Sequence, residues 1–62
     1  MPRHYGAMLQ VAICDKLDVI GFYERLRDAL TCVKQQELME IIVGDQKEQV
    51  RILATLYRQL TE

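Results

Sequence analysis

The sequence predicts an all-α fold: an antiparallel two-helix hairpin that pairs as a dimer into a four-helix bundle. Three observations carry this. Glycine occurs only at positions 6, 21 and 44 and proline only at 2, so little interrupts a helix beyond the first residues. Large apolar residues recur every three or four positions along two long stretches, the spacing of one helix face. And 62 residues, half of them hydrophobic, form a unit too small to close a core comfortably on its own.

The first helix is expected over about residues 6–31. Its stripe is Leu9, Ile13, Leu17, Ile20, Tyr23, Leu26 and Leu30, continuing to Val33, with Gln10, Asp15, Asp18, Glu24, Arg25 and Asp28 mostly on other faces. The break is expected near Thr31–Gln35, where β-branched Thr31 and Val33 weaken the helix and Thr31 can cap a new one. The second helix is expected over about 34–61, with the stripe Leu38, Ile42, Gln46, Gln49, Leu53, Leu56 and Leu60, widened by Ile41, Ile52 and Tyr57. A short link makes the two helices antiparallel neighbours, and residues 1–62 form one domain. Gly21 and Gly44 fall inside helices, where each costs about 1 kcal/mol relative to alanine; close approach of the helices is a possible compensation.

A two-helix layer leaves one side wet, so a symmetric homodimer is the expected state. Leu17, Ile20, Tyr23, Ile42, Leu53 and Leu56 are the expected dimer core. Net charge of −1, from eight Lys and Arg against nine Asp and Glu, gives no electrostatic footprint for nucleic acid. No apolar run reaches the roughly 20 residues that span a bilayer, and MPRHYGAMLQ lacks the features of a secretory signal. The expected location is therefore cytoplasmic, without membrane contact. Cys14 and Cys32 lack CxxC spacing and read as reduced structural thiols.

The stretches CDKLDVIGFYERL (14–26) and GDQKEQVRILATLYRQL (44–60) resemble the two halves of the ferritin-like and rubrerythrin-like pattern. That family carries a Glu seven residues before a Tyr on one helix and a Glu-x-x-His on the next. Two such sets facing each other hold two iron or manganese ions, and a dimer of hairpins would supply both. On this sequence the first Glu falls on Lys16, the second on Gln46 and the His on Gln49. An ammonium repels a cation and a neutral amide ligates iron poorly, so the resemblance implies a short two-helix form with degenerate metal positions and no cofactor. The alternative placement of Gln46, Gln49 and Lys16 is a solvated helix edge.

Lys16, near a bundle axis, would call for a carboxylate partner, and Asp45 is the candidate. Asp15, Asp18, Asp45 and Glu48 could form a displaced iron or manganese site, although a solvated charged face explains them as well. His4 is the sole histidine and lies near a terminus; Tyr5, Tyr23 and Tyr57 fit packing with the hydroxyl at a polar edge. With one histidine, nucleophilic catalysis has little to work with, and no catalytic residue is assigned. The expected role is structural, a protein-interaction module acting through homodimerisation and open to a further protein partner. The alternative is a metal-binding oxidoreductase or iron-handling protein using substituted carboxylates.

Overall fold

The computed structural model describes residues 4–61; Met1–Arg3 and Glu62, and with them the first residues of the signal-peptide reading and both ends of the 1–62 unit, lie outside the described residues. Two helices make up the fold, α1 over Tyr5–Ala29 and α2 over Val33–Thr61. They pack side by side as a rod with extents of 48 × 14 × 11 Å. No strand occurs among the described residues, and no described helix is long and apolar enough to cross a membrane.

Residues 30–32 link the helices. Leu30 turns to extended backbone (φ −76°, ψ 140°), which stops α1, while its N–H still donates to the carbonyls of Leu26 and Arg27. Gln36 ties the link to the next helix, its Nε2 donating to the Leu30 carbonyl at 2.6 Å. The reversal thus needs no residue of left-handed backbone, and none occurs among the described residues. It is a polar side chain, rather than a glycine, that fixes it.

The contact between the helices is a heptad seam. On α1 it runs Leu9, Ile13, Lys16, Ile20, Tyr23 and Arg27, ending on Leu30 in the link; on α2, Gln36, Met39, Val43, Gln46, Val50, Leu53, Tyr57 and Leu60. Steps alternate strictly between three and four, the 3.5-residue repeat that keeps two helices in register over their length. Ile20 and Val43 are buried and the other seam residues half-buried.

This seam corrects the expected stripes. Leu17 and Leu26 of α1, and Leu38, Ile42 and Leu56 of α2, are exposed, and Gln49 is exposed as well. Their places are taken by Lys16, Arg27, Met39, Val43 and Val50. Long aliphatic stems let Lys16 and Arg27 cover apolar surface while their charged ends reach polar partners, so a seam position need not be hydrophobic by type.

The interior glycines do not mark close helix approach. A Cβ at Gly44 would meet nothing within 4 Å, and one at Gly21 only the Arg25 guanidinium of its own helix, 3.6 Å away. Gly6 is the glycine that lies against the other helix: a Cβ there would stand 3.7 Å from side-chain carbons of Tyr57 and Thr61.

Candidate functional site

Lys16 and Gln46 meet at the middle of the seam, where the Lys16 Nζ donates to Gln46 Oε1 at 2.8 Å, partly buried. An ammonium only donates, so the amide must present its oxygen. The partner of Lys16 is therefore an amide and not the Asp45 carboxylate expected from the sequence. Asp45 precedes Gln46 and is exposed, facing away from the seam. Gln49, the third position of the ferritin-like pattern, is exposed and takes no part in this pair.

The seam divides the hairpin into two unlike flanks. In an antiparallel pair, the residues that immediately follow seam residues fall on one side of the rod for both helices, and those that immediately precede them fall on the other. The following side is polar and joined. Gln10 Nε2 donates to the Tyr57 hydroxyl at 2.9 Å, Lys47 pairs with Glu24 at 3.5 Å, and Glu40 accepts from Arg27. Glu40 foremost, then Asp28, raises the Arg27 pKa above its ordinary value by accepting hydrogen bonds from the guanidinium.

The preceding side is largely apolar, interrupted by Asp15, Gln35, Asp45, Gln49 and Gln59, and carries none of the cross-helix pairs named above. It carries Tyr5, Met8, Val19, Phe22 and Leu26 from α1, all exposed. From α2 it carries Leu38, Ile42, Ile52 and Leu56, also exposed. Near the open end of the hairpin it dips into a groove of 450 Å³ lined by Tyr5, Met8, Leu9, Ala12, Leu56 and Leu60. The groove spans both helices, which places the two apolar rows on one surface.

The residues expected at a dimer core are thus distributed over three surfaces. Ile20, Tyr23 and Leu53 lie in the seam within one chain, Ile42 and Leu56 on the apolar flank, and Leu17 on the polar flank. The cross-helix pairs and the apolar flank escaped the sequence reading. A strict heptad register, drawn through Lys16 and Arg27 on the first helix and through Met39, Val43 and Val50 on the second, would have exposed both.

Among the described residues no three His, Cys, Asp or Glu side chains converge closely enough to hold a metal ion. Within one chain, then, Asp15, Asp18, Asp45 and Glu48 do not form a site; Glu48 pairs instead with Arg51. Cys14 and Cys32 are free and exposed, one on α1 and one in the link. His4 stands at the start of α1 beside Tyr5, their ring centroids 6.1 Å apart.

No family model matches the chain, and no curated protein or solved structure matches it. Any kinship with ferritin-like proteins therefore rests on Lys16, Gln46, Gln49 and the spacing around them.

Proposed function

We propose that the chain is a structural, protein-interaction module, half of a four-helix bundle that a second copy completes. The carrying observation is how little the hairpin buries. Only Ile20 and Val43 are withdrawn from solvent among the large described side chains, while most of the remaining large hydrophobics stay exposed. Each fully buried aliphatic side chain stabilises by roughly 1.5–3 kcal/mol, and two of them offset little of the 1–2 kcal/mol per residue lost in ordering a backbone. Two layers of two helices supply the missing burial.

In this reading Lys16, Gln46 and Gln49 are degenerate ligand positions of a ferritin-like bundle. Lys16 and Gln46 lie in the seam and Gln49 on the adjoining apolar flank, so a bundle closed over that flank would gather all three near its centre. Support for this comes from the spacing of the three residues and from the Lys16–Gln46 contact. The module then acts by assembly rather than by chemistry.

Sedimentation equilibrium combined with circular dichroism tests the proposal. The expected result is a dimer mass at micromolar concentration and a loss of helicity that follows dissociation on dilution. A fully helical monomer throughout that range would overturn it.

A further inference from the structure

We propose that the link is a register break that keeps the chain folded back on itself. It would turn the packing faces of α1 and α2 to opposite sides of a straight helix, and so excludes the two-chain rod that competes with the hairpin. This holds for a hairpin alone or paired, and does not rest on the bundle.

Little in the link stops a helix. Residues 29–33 include neither glycine nor proline, Thr31 and Val33 are only weaker helix formers, and no left-handed backbone occurs among the described residues. The reversal is held by the extended backbone of Leu30 and by one bond, from Gln36 Nε2 to the Leu30 carbonyl. On local grounds α1 and α2 could run on as one helix. Two such chains laid antiparallel would remake the contacts of the hairpin between copies, Lys16 of one with Gln46 of the other and Gln10 of one with Tyr57 of the other. Exchange of identical elements in this way is a low-cost route to a dimer.

Register forbids it. The seam steps by three and four residues from Leu9 to Leu30 and again from Gln36 to Leu60, but by six from Leu30 to Gln36. A step of four would continue the heptad. The two surplus residues, at about 100° each, would turn the α2 face about 160° away from the α1 face on a continuous helix. A straight chain could then lay α1 against one neighbour and α2 only against another on its far side. Such contacts are heterologous and do not close, whereas folding back satisfies both faces within one molecule. The surplus of two residues is what selects the hairpin.

The test reads a distance within one chain. With Cys14→Ser and Cys32→Ser, spin labels are placed on Val11→Cys and Thr55→Cys, both exposed and beside the Gln10–Tyr57 bond, and labelled chain is diluted into an excess of unlabelled chain. The labels should stand roughly 20 Å apart across two helix diameters in the hairpin and about 66 Å apart along a straight helix. The parent chain should give the short distance at every concentration. Deleting residues 31 and 32 lets the seam run unbroken in threes and fours from Leu9 to Leu60, and should move the distance beyond about 60 Å. Because this deletion also leaves too short a link to reverse a helix pair, two insertions after residue 32 separate register from length. Five helix-forming residues restore the heptad and should populate the long distance increasingly with concentration; three leave the faces about 140° apart and should keep the short one throughout. A long distance in the parent chain, or two insertions that behave alike, overturns the register break. A parent chain that shows the short distance and sediments as a monomer overturns the bundle and keeps the break.

Discussion

Lys16 and Gln46, thirty residues apart, are joined by a 2.8 Å hydrogen bond in the middle of an otherwise largely apolar seam. A charge-assisted bond of this kind is stronger than a neutral one, but it stands where two hydrocarbon side chains could pack instead. Its value is alignment: shifting one helix by a heptad would separate the pair.

Removing one member should therefore cost more than removing both. Gln46→Leu leaves the ammonium facing a methyl group and is expected to destabilise by about 1–3 kcal/mol, while Lys16→Leu with Gln46→Leu should restore stability to the wild-type level or above. Urea unfolding of the two single variants and the double variant, read as a cycle, gives the coupling. Additive effects would show that the bond contributes nothing.

Gly44 offers a stabilising change. It lies inside α2 with open space where a Cβ would be, so Gly44→Ala should gain about 1 kcal/mol from helix propensity alone. A raised unfolding midpoint with unchanged dimer mass is the expected outcome. Lost stability would mean that the space is filled in the assembled state.

Arg27 sets a pH expectation. Its pKa is raised by Glu40 and then Asp28, so the stability it contributes is fully present below the unfolded arginine value and is lost only as pH climbs through the higher folded one. The difference in melting temperature between wild type and Glu40→Gln should accordingly stay constant from neutral to moderately alkaline buffer. It should shrink at high salt, because Glu40 is exposed. A difference that fades in moderately alkaline buffer would contradict the sign.

The ferritin-like reading makes the most demanding prediction. Lys16→Glu, Gln46→Glu and Gln49→His together should create a chain that binds about two manganese or iron ions per dimer. Without metal it should melt below wild type, because carboxylates would then crowd the seam where Lys16 and Gln46 now bond. Metal content after dialysis, measured beside the melting curve, decides it. A folded dimeric variant that retains no metal would remove the family reading and leave the bundle untouched.

The two helices were legible because apolar residues recur every three or four positions along both stretches and no proline follows position 2. The link was legible to within a few residues, from Thr31 and Val33. The seam was not. Both helices carry apolar residues on two adjoining faces, and the larger ones, Leu17, Leu26, Leu38 and Leu56, lie outside the contact while Val43 and Val50 lie within it. Periodicity marks an apolar face but does not say which of two faces has found its partner. The Lys16–Gln46 bond was half visible: both residues stood out as misplaced polar groups, yet their meeting depends on a register that only the fold supplies.

The three-residue link also bears on the order in which the molecule forms. Arg27 and Glu40 are separated by 13 residues, Lys16 and Gln46 by 30, Gln10 and Tyr57 by 47, so the enclosed loop lengthens steadily toward the open end. Closing a loop costs about 0.6 kcal/mol more for each doubling of its length, which favours the Arg27–Glu40 contact first. Each later contact then closes against helix already in place. The hairpin should zip from its closed end outward, with the start of α1 and the end of α2 around Gln10 and Tyr57 the last to pair and the first to exchange their amide hydrogens.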